Sequence, residues 1–171
     1  LYAREGVRTE YLRTTNQLAT GVGFIILNPA GGNGIILDMA ANRLMDPAFV
    51  DSVEAQIARS RVVMTVLEIP VPAAARAMEL GRRHGVITLL NPAPAAALDD
   101  DIIGNADYIT PNETELRILM GLAPDDATPT EALAQRLKAR GAHTVIITMG
   151  EKGALVVTDG ARVELCREGD V

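Results

Sequence analysis

The stretch Asp107-Tyr108-Ile109-Thr110-Pro111-Asn112-Glu113-Thr114-Glu115 decides how this chain reads. Residues 108–110 form a short β-type run that stops at Pro111. A helical pattern follows over 112–120, closed by Gly121. A strand running straight into a helix is the junction from which βαβ units are built. Asn112 and Glu115 lie three residues apart and share a face of the helix's first turn. Free N–H groups and the dipole already favour an anion at a helix start. A carboxylate there makes little sense for bare phosphate and good sense for a phosphate that arrives with a metal ion.

The same alternation extends in both directions. Residues 62–67 and 86–90 read as buried strands, with a helix over 72–84 between them, closed by Gly85. A short helix spans 99–105. Residues 128–140 form a helix closed by Gly141, and 144–148 a further strand. Residues 154–158 and 162–165 flank Asp159-Gly160, a strong hairpin signal. Strands alternating with helices predict an α/β fold: a doubly wound, mostly parallel sheet with helices on both faces. Ahead of it, Asp46-Pro47 opens a helix that extends to about residue 59. Earlier still, apolar runs at 20–27 and 35–39 flank Asn28-Pro29-Ala30-Gly31-Gly32-Asn33-Gly34, a loop of turn formers. That is a β-hairpin over 20–39 with no helix to cover it, so it is expected to project as a small β unit.

Composition bounds the rest. A chain of 171 residues fits one domain, and 48% hydrophobic with only 3% aromatic residues means a core of Ala, Val, Ile and Leu. No apolar run is long enough to span a bilayer. The net charge of −6 argues against nucleic acid as a partner. Cys166 is the one cysteine, so no internal disulfide forms, which suits a reducing, cytoplasmic setting. Leu1 to Gly6 reads as the end of a helix with a Gly cap, and no terminal helix precedes Val171, so the chain reads as incomplete at both ends.

Helix capping accounts for part of the opening stretch: Thr110 as the cap, Pro111 at the first helical position, Glu113 reaching back. Thr128-Pro129-Thr130-Glu131 repeats that arrangement at an ordinary helix. Asn112 and Glu115 are left over, and for Glu115 simple dipole stabilisation is an equal reading. Thr148-Met149-Gly150-Glu151-Lys152-Gly153 is neither a Walker loop nor a dinucleotide fingerprint. In isolation it reads first as a glycine-rich turn. Its place after a parallel strand is also where open α/β sheets bind ligands. Lys152 reads equally as solvated or as reaching a phosphate. Glu68 ends one strand, either solvated at the rim or aimed at hydroxyl groups. Asn91 ends the next, before Pro92 and Pro94, as a terminator or a secondary site residue. His84 and His143 lack metal-ligand spacing and read as surface residues.

Ile109 to Glu115, Leu90-Asn91-Pro92-Ala93-Pro94-Ala95 and Thr148 to Gly153 together resemble the ribokinase group of the PfkB carbohydrate kinase family, in the family's order and at about its spacing. The likeness runs from about Gly6 to the C-terminus and implies a ribokinase-like fold. In such a kinase Asn112 and Glu115 would order Mg²⁺, its waters and the ATP phosphates, with Glu115 serving the metal through water. Thr148, Gly150 and Gly153 would line the nucleotide, and Glu68 would bind sugar hydroxyls. Residues 20–39 would belong to a lid over the sugar that also forms a homodimer contact, and 60–171 to the α/β nucleotide-binding part. The lid departs from the usual pattern, with Gly31-Gly32-Asn33 where an acidic residue before Asn is common and Ala40-Ala41-Asn42 where Gly-Ala-Asn is usual. The family's general base, an Asp in a Gly-Ala-Gly-Asp-like turn, is expected after Val171, and most of its K⁺ site with it. The resemblance implies phosphoryl transfer from ATP to a primary hydroxyl, ribose foremost. A nucleoside, a phosphosugar, a ketodeoxy sugar acid, or a non-catalytic sensor role are the alternatives.

Overall fold

The computed structural model describes residues 2–29, 33–159 and 162–163. The chain divides into two compact units, Leu1–Met45 and Asp46–Val171.

The first unit opens with a 3₁₀ turn, Tyr2–Glu5, closed by Gly6 at φ 75°. Strands β1 (Val22–Leu27) and β2 (Asn33–Asp38) then pair antiparallel, from Val22 opposite Asp38 to Leu27 opposite Asn33. The expected hairpin therefore forms; residues 30–32 of its loop lie outside the described residues. Cross-strand partners share a face, so Phe24 and Ile36 lie on one side and Ile25 and Ile35 on the other. All four are exposed, which leaves the ribbon apolar on both faces. Its base is tied where Ala41 N–H donates to Ala19 O at 2.9 Å and Ala40 N–H to Asp38 Oδ1 at 3.0 Å. Ala40 stands at φ 40°, and it is the one non-glycine residue in the left-handed region among those described. This is the position at which the family pattern has glycine, the residue that adopts such backbone freely.

In the second unit the helix expected over 46–59 starts as foreseen, with Asp46 accepting Phe49 N–H at 2.7 Å and Pro47 at the first position. It does not run through. Ser52 Oγ donates to Phe49 O at 2.6 Å, the backbone leaves helical geometry at Val53, and two short helices result, α1 (Pro47–Ser52) and α2 (Glu54–Ile57). A serine hydroxyl bonding a nearby carbonyl competes with the helix ladder in this way.

The sheet follows in the order β3 (Val62–Val66), β4 (Ile87–Asn91), β5 (Tyr108–Ile109), β6 (Thr144–Thr148), β7 (Ala154–Val157), β8 (Arg162–Val163). The first four run parallel, and β7 and β8 are antiparallel additions. The crossovers carry α3 (Val71–Arg83), α4 (Asp100–Gly104), α5 (Glu113–Leu119) and α6 (Thr130–Ala139). Strand order rises monotonically from β3 to β6, so right-handed crossovers place all four helices on one face. One core joins Leu90, Ile109, Val145 and Ile147 of that face to Met78, Ile103, Leu116 and Leu137 of the helices. On the opposite face Val62 is 49% exposed, Met64 70% and Tyr108 37%. The mostly parallel sheet with helices is therefore present. A helical layer on its second face is not supplied by the described residues. No helix among them is long and apolar enough to cross a membrane.

Two contacts set how closely α3 lies on the sheet. Thr88 is fully buried; its hydroxyl donates to Asn105 O at 2.6 Å and accepts Asp107 N–H at 2.9 Å, and its own N–H donates to Asp107 Oδ2 at 2.9 Å. Gly81 of α3 packs on it so tightly that a Cβ there would stand 2.5 Å from Thr88 Cγ2.

Candidate functional site

The C-terminal ends of the parallel strands carry the candidate residues. Strand β5 is extended beyond its ladder, because Thr110 N–H donates to Leu90 O at 3.0 Å. Pro111 is buried, and its carbonyl accepts Thr148 N–H at 3.0 Å from the end of β6. Asn112 itself forms a parallel bridge with Thr148. The chain thus stays extended two residues longer than helix signals alone suggest, and Asn112, at φ −82° and ψ 177°, becomes the cap of α5.

This changes the assignment of caps. Asn112 Oδ1 accepts Glu115 N–H at 2.8 Å, and Glu115 Oε2 accepts Asn112 N–H at 2.8 Å. The capping box is Asn112–Glu115 and not Thr110–Glu113. Glu113 turns elsewhere and accepts the Thr130 hydroxyl at 3.1 Å. The parallel expectation at 128–131 fails for a similar reason. Thr128 N–H is taken by Asp126 Oδ1 at 2.8 Å, and α6 begins at Thr130 behind Pro129 with no side-chain cap bond. An Asn followed three residues later by Glu was itself a legible box signature; the proline at 111 drew the cap two residues too early.

The box decides which atoms remain for a ligand. Asn112 Oδ1 and Glu115 Oε2 are engaged. Among the described residues, the Asn112 Nδ2 amide and Glu115 Oε1 have no partner, the first a donor and the second an anionic acceptor. Asn112 is exposed and Glu115 half-buried. A donor suits phosphate oxygens, and a carboxylate oxygen suits a hard cation or its water. One carboxylate cannot build a metal cage, and no cluster of three His, Cys, Asp or Glu stands ready for one among the described residues. The donor set fits an ion that keeps several waters and takes further oxygens from a phosphate. Helix α5 has only seven residues, so the side chains, and not the helix end, define the site.

The remaining candidates border this edge. Thr148 ends β6 and is exposed. After it the chain makes a tight turn, with Gly150 at φ 57°, Gly153 at φ 86°, and Met149 N–H donating to Gly153 O at 2.8 Å. Both glycines occupy backbone that other residues enter at a cost. Lys152 is exposed. Asn91 ends β4 half-buried, and the register sets it beside Val66 of β3. Glu68 is exposed two residues beyond Val66, where Leu67 N–H donates to Ala93 O at 2.9 Å. Asn112, Glu115 and Thr148 are joined directly by backbone or side-chain bonds. Glu68 and Asn91 share only the strand edge with them. His84 bonds Glu54 at 2.8 Å and His143 accepts from Arg82 at 3.1 Å, both exposed as expected. A cleft of about 470 Å³ beside Arg82, Asp107 and His143 lies at the opposite, N-terminal edge of the strands and holds none of the candidates.

Known proteins are similar to this chain in sequence and fold. The ribokinase of Haemophilus influenzae is 37% identical over 159 residues, covering 93% of this chain and 52% of that protein. The deoxyribokinase of Salmonella typhi is 34% identical over 161 residues, covering 94% and 53%. The solved structure of Arabidopsis thaliana ribokinase complexed with ribose and ATP superposes with a TM-score of 0.81 at 23% identity, over 95% of this chain and 53% of that one. The fold is therefore ribokinase-like, and the chain spans about half the length of the curated relatives it matches. A pfkB family carbohydrate kinase model matches residues 1–168, and the chain belongs to that family.

Proposed function

We propose that the whole protein is an ATP-dependent sugar kinase that transfers the γ-phosphoryl group to a primary hydroxyl, with ribose the first acceptor to test. The observation that carries this reading is the Asn112–Glu115 box, which leaves a donor on one residue and a carboxylate oxygen on the other without a described partner, with Asn112 bridged to Thr148. Phosphoryl transfer needs positioning and charge neutralisation more than covalent chemistry from the protein. Mg²⁺ bound with ATP would supply that neutralisation. Glu115 would hold it through water, Asn112 would donate to phosphate, Thr148, Gly150 and Gly153 would border the nucleotide, and Glu68 would accept from sugar hydroxyls.

Residues 1–171 form in this reading part of a ribokinase-like domain, with 20–39 as lid and 60–171 as the α/β nucleotide-binding part. The apolar hairpin faces suit both roles proposed for it: one to exclude water from the sugar, the other to meet a second copy. A general-base Asp and a K⁺ site would come from outside these residues, and the protein would work in the cytoplasm. The 171-residue chain alone would then turn over no sugar; sustained sugar-dependent ADP release from it would refute that.

Deoxyribose is the second acceptor to weigh, because a deoxyribokinase matches nearly as well as a ribokinase. ADP release by the full-length protein over ribose, deoxyribose, fructose and adenosine separates these readings. Activity on adenosine alone would move the assignment to a nucleoside kinase, and release on none of them would support a sensor.

A further inference from the structure

Resting on that reading, we infer that Arg117 and Thr130 are positioning residues for the Asn112–Glu115 pair. The two side chains of the pair flank Glu113, and Glu113 is where the rest of the unit grips this turn. Arg117 Nη1 donates to Glu113 O at 2.7 Å and its Nε to Asp126 O at 2.8 Å. The Thr130 hydroxyl donates to the Glu113 carboxylate at 3.1 Å. The bond from Thr128 N–H to Asp126 Oδ1, at 2.8 Å, folds the anchoring segment on itself.

A helix of seven residues has little stability of its own, so its orientation is set by what it is tied to. On one side Thr148 N–H holds Pro111 O. On the other, Arg117 and Thr130 tie the first turn to the 126–130 segment. Neither residue is bonded to Asn112 or Glu115 itself. Their effect is on the direction in which Glu115 Oε1 and Asn112 Nδ2 point. Arg140 offers a contrast: it donates to Leu119 O at 3.0 Å, Leu98 O at 2.6 Å and Asp100 at 2.7 Å, and so grips the far end of the same helix.

The experiment uses full-length protein with Arg117→Met, Arg117→Lys, Thr130→Val and Arg140→Met. It reads melting temperature, calorimetric affinity for ADP with and without Mg²⁺ in the absence of sugar, and the Mg²⁺ concentration for half-maximal rate. Outer partners of metal-binding groups typically change metal affinity by about 10–100-fold. Arg117→Met and Thr130→Val are expected to weaken Mg²⁺-ADP binding about tenfold and raise the Mg²⁺ half-point equally, with metal-free ADP binding, to which Asn112 but not Glu115 contributes, weakened less. Arg117→Lys recovers part of the loss. Arg140→Met lowers the melting temperature at least as far as Arg117→Met but leaves both metal readouts within about twofold. Equal metal effects from Arg140→Met, or none from Arg117→Met, overturn the inference. A wild type that binds no Mg²⁺-ADP overturns the kinase reading along with it, whereas a wild type that binds it as well as Arg117→Met does overturns this inference alone.

Discussion

Asn112 and Glu115 cap each other: each side chain accepts the other's backbone N–H at 2.8 Å. One pair of residues therefore starts helix α5 and, with Asn112 Nδ2 and Glu115 Oε1, also presents a donor and an anionic acceptor that no described residue engages. Helix stability and the proposed chemistry can be separated by substitution, because a capping box needs an acceptor atom whereas a cation needs a charge.

Glu115→Gln keeps an oxygen for Asn112 N–H and loses the charge. In the full-length protein it is expected to melt within about 1 °C of wild type while turnover falls roughly 10²-fold, as loss of transition-state electrostatics can. Glu115→Ala loses both and also sheds about 1 kcal/mol of helix stabilisation. A drop of only twofold in both variants would reduce Glu115 to a helix cap.

Gly81→Ala tests the approach of α3 to the sheet. The new methyl meets Thr88 Cγ2 at 2.5 Å and Val63 Cβ at 3.6 Å. Thr88 cannot turn away without releasing Asn105 and Asp107. Overpacking of this kind costs about 1–3 kcal/mol, against a small gain in helix propensity. Chemical denaturation should show a lower midpoint at unchanged slope, and a variant as stable as wild type would mean α3 sits further from β4 in solution.

Ala40→Gly should act in the other direction. At φ 40° alanine carries left-handed strain of about 1–2 kcal/mol, partly offset by the extra freedom glycine has when unfolded. The net gain is expected at up to about 1 kcal/mol, read as slower hydrogen exchange of Ala41 N–H, which bonds Ala19 O. Faster exchange in the variant would rule out the left-handed turn.

Glu79 gives a pH dependence. The hydrogen bond from Arg76, at 2.7 Å, with further help from Arg83, holds its carboxyl below the ordinary 4.5. The ionised form favours the folded chain, so this contribution is present above pH 4.5 and disappears as pH falls through the lowered folded-state value. Wild type should melt above Glu79→Gln at neutral pH, and the two should converge in acid. A gap that stays constant with pH would assign the difference to packing.

How much could be read from residues alone differs by element. Strand β6 falls where its Val-Ile-Ile run placed it, Thr144–Thr148, because Val145 and Ile147 bury their side chains in the core. The glycines at 85, 121 and 141 end their helices at φ 66°, 71° and 110° for local steric reasons that any glycine signals. The helix over 46–59 was over-extended because the competing bond from Ser52 is a matter of side-chain geometry and not of propensity. Residues 160–161 and 164–165 of the expected final hairpin lie outside the described residues, and Arg162–Val163 pairs with β7 as that hairpin requires.

Composition, turn chemistry and the alternation of runs determined the α/β class, the hairpin and the list of candidate residues, since each depends on neighbours a few positions apart. The roles within 110–115 were decided only by tertiary structure. Thr110 is claimed by Leu90 of β4, and the Pro111 carbonyl by Thr148 of β6, from 20 and 37 residues away in sequence. Those two bonds carry the strand past the proline, shift the cap to Asn112, and so choose which oxygen of Glu115 remains for a cation. No local rule holds that information, because the competing partners become neighbours only when the sheet closes.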